Sequence, residues 1–196
     1  MILDSELLHG LPQSVLGYAA MDAFIQAYES YISKNATWFS KQFSLKAIEL
    51  INNNIVSAYE SGTDENLQNL LVGSYCAGIA LAAARLGVIH GIAHPLGAIY
   101  ELPHGLVCSI CFIPSIRINR KAMGKKYNDL SALVGMDFIK KVETLLSRLN
   151  IVSPFKGEEI IEKEKIIAET LQSGSTAANP KKIEREDIEE LFRYIF

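Results

Sequence analysis

Basic residues do not predominate in this chain: 19 Lys and Arg face 22 Asp and Glu, for a formal net charge of −3 and a pI near 5.8. A nucleic-acid binder needs a basic face to meet phosphates, so that class is excluded. Cysteine is scarce, with only Cys76, Cys108 and Cys111. The number is odd, and Asp4 and Glu6 stand where a secretory signal would carry its basic region. Both points argue for reduced thiols in a cytoplasmic protein. Cys108 and Cys111 have C-x-x-C spacing, but no second such pair exists. A zinc ribbon is therefore excluded and buried structural cysteines are expected. The longest mostly apolar stretch, residues 76–99, carries Arg85, His90, His94 and several glycines. It reads as core helices rather than a membrane span. No alternating pattern runs beyond a few residues, which argues against strands. The glycines at 73, 78 and 174 do not form a dinucleotide-binding motif.

What the chain does have is apolar material, 49 % of 196 residues with a mean hydropathy of +0.15, enough for a large core. The pattern predicts an all-α, multi-helix bundle spanning residues 1–196 as one domain. An extended segment is expected up to Pro12, then helices over about 14–33 and 37–60, the second stopped by Gly62. Thr63 is a good N-cap with Asp64 and Glu65 behind it, for a helix to about Leu86 whose small, apolar second half suggests a central position. Gly87 fits the residue that closes that helix. A histidine-bearing helix follows at 88–99, kinked or broken at Pro95, then one at 104–116 ending near Pro114. Lys121, Lys125 and Lys126 are assigned to the surface. Short amphipathic helices are expected at 130–134, 138–149 and 158–170, a loop at 173–182, and a last helix opened by Glu184, Glu186 and Asp187.

The segment His90–Gly105 holds three of the four histidines: His90, His94 and His104. A single histidine on an apolar face is usually a satisfied core residue; three within fifteen positions, beside one carboxylate and no Lys or Arg, point to a site. His90 and His94 share a helical face, and so do Asp22 and Gln26 on an earlier helix. Bundles build metal sites from side chains that project inward from different helices. Asp22, His90 and His104 would offer one oxygen and two nitrogens, a set suited to Fe²⁺ or Zn²⁺ with positions left open. Spacing alone does not bring Asp22 to His90.

Those residues carry a resemblance. Asp22-Ala23-Phe24-Ile25-Gln26-Ala27-Tyr28-Glu29-Ser30-Tyr31 and His90-Gly-Ile-Ala-His94-Pro-Leu-Gly-Ala-Ile-Tyr100-Glu-Leu-Pro-His104-Gly, with Phe112-Ile-Pro114 and Asn179-Pro180, resemble the C-terminal, metal-binding domain of the iron-containing (group III) alcohol dehydrogenases. The resemblance implies the all-helical fold of that domain, also seen in dehydroquinate synthase-like enzymes. It implies metal ligation by Asp22, His90 and His104, and proton relay by His94. At the family's remaining histidine ligand stands Gln26, counted with Asp22, His90 and His104 among the metal-site residues although its neutral amide is a poor substitute for imidazole. The remaining Asp-His-His set resembles the three-ligand zinc site of the related glycerol dehydrogenases.

Family members carry an N-terminal nucleotide-binding domain, and this chain begins where that domain would end. The resemblance therefore implies the metal-binding half of an alcohol or aldehyde oxidoreductase, inactive alone, with NAD(P) usable only if a separate nucleotide-binding domain is supplied. The alternative is a non-catalytic helical remnant or interaction domain with weak or no metal binding. A face left uncovered by the missing domain implies self-association, as a dimer.

Overall fold

The computed structural model describes residues 2–196; Met1 lies outside them. Among the described residues there are nine α-helices and no strand: α1 Gln13–Ile32, α2 Trp38–Glu60, α3 Asp64–Ala84, α4 Val88–Tyr100, α5 His104–Met123, α6 Lys125–Leu133, α7 Phe138–Arg148, α8 Lys163–Gln172 and α9 Arg185–Ile195. The all-α expectation holds. One contiguous set of buried side chains runs from α1 to α9.

The central helix is α1. From Ala20 to Ile32 nearly every side chain is buried, and α2, α3 and α5 pack around it. Phe24 and Tyr28 on one side of α1 meet Phe112 of α5 and Phe138 of α7, with ring centroids 4.9–6.1 Å apart. Such pairs contribute about 0.5–1.5 kcal/mol each beyond the area they bury. They fix α1 against α5, and so fix what the opposite side of α1 presents. That opposite side carries Asp22, Gln26 and Glu29, spaced four and three residues apart.

The expectation that α3 would be central is corrected. Gly73, Cys76, Ala77, Ala80 and Ala84 form its buried stripe against α1 and α2. A Cβ at Gly73 would lie 2.8 Å from Ile51 Cγ1. Ser74, Tyr75, Ala82 and Ala83 remain exposed. By length and composition α3 is apolar enough to cross a membrane; in this fold one of its faces is buried in the bundle.

The sequence-based boundaries fail where packing overrides local signals. The N-terminal segment contains a 3₁₀ turn, Ser5–Leu8, capped by Asp4. α5 passes through Pro114 to Met123, because Cys108, Phe112, Ile116, Asn119 and Met123 bury one continuous face. That burial offsets the roughly 3 kcal/mol cost of an interior proline. α4 likewise continues through Pro95 and ends at Glu101 in the left-handed region (φ 53°). There the Leu102 N–H bonds the Gly97 carbonyl, which closes the helix end. α8 starts at Lys163 rather than 158, since Glu159 and Ile161 bond the Tyr100 hydroxyl instead of extending the helix. The 173–182 loop contains a 3₁₀ turn, Thr176–Ala178.

Gly87 does not close α3, which ends at Arg85 (φ 62°). It precedes α4, where a Cβ would lie 2.7 Å from Glu29 Oε1 and 3.0 Å from Asn179 Oδ1. Lys126 is not a free surface lysine: its ammonium donates to the Ile32 (3.0 Å) and Ser33 (3.4 Å) carbonyls at the end of α1.

Gly105 sets the distance between α5 and α1, because a Cβ there would overlap the Tyr18 carbonyl oxygen. Gly105→Ala is expected to destabilise the chain by about 1–3 kcal/mol in denaturant unfolding, with the helical content of the native state retained.

Candidate metal centre

Three helices converge on one point. α1 brings Asp22, Gln26 and Glu29, α4 brings His90 and His94, and α5 opens with His104 and carries Cys108 one turn later. The 101–103 turn folds α5 back against α4 and sets the His94 and His104 rings 5.1 Å apart, close to parallel. The His90 and His104 centroids are 5.3 Å apart, and those of His90 and His94 6.3 Å.

His90 is the fixed element. It is 2 % exposed and lies between two carboxylates. Its Nδ1 is 2.6 Å from Glu29 Oε2, and its Nε2 is 3.1 Å from Asp22 Oδ1. Glu29 is itself 1 % exposed, and its Oε1 accepts the Ile89 N–H at 2.7 Å. The next free amide of that helix end, Val88 N–H, donates to Asn179 Oδ1 at 3.3 Å. Asn179 is held by Asn119, whose Oδ1 accepts from Asn179 Nδ2 at 2.7 Å. The first turn of α4 is thus capped by residues from outside it, and the positive end of its dipole faces the buried carboxylate.

Burial opposes charge on His90, but its bonds to Asp22, Cys108 and Glu29, with the charge of Glu29, outweigh it. In the metal-free chain its pKa is pushed up to about 12.

Asp22 is partly buried. Its Oδ1 faces both imidazoles, 3.1 Å from His90 Nε2 and 3.7 Å from His104 Nε2. Its Oδ2 accepts from Gln26 Nε2 at 2.9 Å. Cys108, fully buried, places Sγ 3.4 Å from His104 Nε2. Burial pushes its thiol up to about 11 against the pull of His90. His104 is half-exposed. Its pKa is lowered by partial burial and by His90, against the opposing pull of Asp22. His94 is exposed at its outer edge; partial burial and the His104 and His90 rings lower its pKa.

Four donor atoms, from Asp22, His90, His104 and Cys108, lie within 4.8 Å of one another. Ligand bonds of about 2.0–2.3 Å at tetrahedral angles place neighbouring donors about 3.3–3.8 Å apart. Three of the six donor separations, 3.1, 3.4 and 3.7 Å, fall around that value and all six are within 4.8 Å, so the residues could close on a small divalent ion. Glu29 stands behind His90 on the Nδ1 side, as carboxylates that orient ligating imidazoles do, and leaves Nε2 turned toward Asp22, where it would face a bound ion.

All the residues selected from sequence, Asp22, Gln26, His90, His94 and His104, come together here. Sequence reasoning missed Glu29 and Cys108 as members of the cluster. Their positions carried a signal: Glu29 is a lone carboxylate seven residues after Asp22 in an apolar helix, and Cys108 follows His104 by four.

Residues 17–196 match the Fe-containing alcohol dehydrogenase family, C-terminal. The chain belongs to that family. It is 29 % identical to the lactaldehyde reductase of Escherichia coli over 97 % of its own length and 53 % of the reductase. It is 31 % identical to the 1,3-propanediol dehydrogenase of Klebsiella pneumoniae over all of its length and 54 % of that enzyme. A crystal structure of a 1,3-propanediol oxidoreductase superposes with a TM-score of 0.93 at 27 % identity, covering 98 % of this chain and 55 % of that one. The chain therefore spans about half the length of the relatives it matches. The family is named for iron, and the donor cluster is where residues of this chain could hold a divalent metal.

The sign of the pH effect in the metal-free chain follows from His90. A folded-state pKa near 12, above the unfolded value near 6.5, gives stability that is fully present below about pH 6.5 and lost as pH rises through 12. At about pH 9, ¹⁵N NMR is expected to find the His90 ring doubly protonated and the His94 and His104 rings neutral. Glu29→Gln should bring the His90 titration down and flatten the alkaline loss of stability.

Proposed function

We propose that this chain is the metal-binding half of an NAD(P)-dependent alcohol dehydrogenase acting on a small alcohol or aldehyde, and that it is inactive alone. The observation that carries this reading is the convergence of Asp22, His90 and His104 from three helices. These three are the proposed ligands to Fe²⁺ or Zn²⁺, with Gln26 holding Asp22 in place. A divalent ion held by them would supply Lewis-acid polarisation of the alcohol or carbonyl oxygen. The chain's own residues do the rest. Glu29 fixes the His90 ring, and the capped first turn of α4 holds its backbone. His94 stands at the open side of the cluster with a lowered pKa, neutral and ready to accept a proton from the substrate hydroxyl and pass it to solvent. The nicotinamide cofactor, in this reading, binds a nucleotide-binding domain additional to these residues, because hydride transfer needs the ring placed against the substrate carbon.

The same reading includes a cytoplasmic setting, supported by three buried, unpaired cysteines. It also includes a dimer. Leu11 and Val15 are exposed, and Leu8, Leu11, Leu16, Leu70 and Leu71 line a small apolar pocket beside Ala19 and Ala20, one turn before Asp22. No partner nucleic acid or membrane enters the proposal.

Elemental analysis of the isolated chain, after loading with Fe²⁺ or Zn²⁺ and desalting, is expected to find one ion per chain. Asp22→Ala should lose it while remaining folded. No NAD(P)-dependent alcohol oxidation is expected from the loaded chain by itself; turnover would show that it is not a half-enzyme, and absence of metal would favour the non-catalytic remnant. In size-exclusion chromatography with light scattering at high concentration, a dimer is expected, and a monomer would remove that part of the proposal.

A further inference from the structure

Cys108 is unlike the chain's other two cysteines. Cys76 lies on α3 and Cys111 points into the core, whereas Cys108 occupies the same face of α5 as His104, one turn on. It is fully buried, and its Sγ is one of the four donor atoms gathered within 4.8 Å. The position nearest Asp22 that could have supplied a third nitrogen holds Gln26, and its amide nitrogen is engaged in donating to Asp22 Oδ2 at 2.9 Å. A site with Asp22 and two imidazoles on one side therefore finds its fourth donor in sulfur.

We infer that Cys108 is the fourth protein ligand, so that the metal centre is an Asp22–His90–His104–Cys108 set that selects zinc over ferrous iron. This rests on the proposal that Asp22, His90 and His104 bind a metal. The chemistry is ordinary ligand exchange: the Cys108 S–H bond gives up its proton to solvent and the sulfur electron pair forms the bond to the ion, with no change of oxidation state. A thiolate is a soft donor and suits zinc, and four protein donors in a tetrahedral arrangement are the common pattern of closed zinc sites. Such a set would hold the ion with four protein donors, and substrate binding would require its coordination to expand, as catalytic zinc sites allow.

Loading the wild-type chain with Co²⁺ alone and with Zn²⁺ alone tests this without any substitution. Cobalt should give a near-ultraviolet thiolate-to-metal charge-transfer band with intense tetrahedral visible bands. X-ray absorption of the zinc form should show one sulfur at about 2.3 Å. Cys108→Ala should abolish both signals and lower zinc affinity at least tenfold, with a smaller loss for Fe²⁺; Cys76→Ala should leave them intact. Stoichiometric metal with no sulfur in its shell would overturn this assignment and leave the Asp22–His90–His104 site standing. Failure to bind any of these ions would overturn both. Should Cys108→Ala not fold, the wild-type spectra decide alone.

Discussion

The buried carboxylate of Glu29 is the interaction on which the site depends. One oxygen takes the Ile89 amide at the start of α4 and the other holds the His90 ring. A carboxylate that is 1 % exposed is stable only if its lone pairs are used and its charge is answered. Here a helix dipole, a backbone N–H and an imidazole do both. One side chain thus sets where α4 begins and which way its histidine faces. Gly87 and Asn179 follow from it: the first has no Cβ because Glu29 fills that space, and the second completes the cap that Glu29 begins.

The rest of the bundle serves to aim α1. Its aromatic side meets Phe112 and Phe138, and its polar side meets the histidines. A rotation of α1 would move both together, so the core packing and the donor geometry are one constraint. Gly105 works in the same sense on α5, where the contact with the Tyr18 backbone fixes how closely the His104-bearing end approaches. The imidazoles are graded from buried His90 to open His94, which separates the residue that is held from the residue that can exchange protons with water.

Much of this was legible in the amino-acid order. Helical periodicity located α1, α2, α4 and α7 to within a few residues, and the spacing of His90, His94 and His104 marked the site. The misses share one cause, namely that tertiary contacts decided against local signals. Pro114 has the chemistry of a helix end, but the buried row from Phe112 to Met123 carries α5 past it. Gly87 has the chemistry of a helix stop, but close approach of Glu29 explains it better. Glu29 and Cys108 were visible as helical neighbours of Asp22 and His104; what spacing could not supply was that three helices would turn those faces toward one another.

Asn179 supplies half of the seal on α4 from 91 residues further along the chain than Val88. During synthesis the histidine helix and both helices that meet it leave the ribosome long before that residue does. The nascent polypeptide therefore holds the Val88 amide of α4 unsealed until Asn179 has emerged, while Glu29, made far earlier, can already take the Ile89 amide.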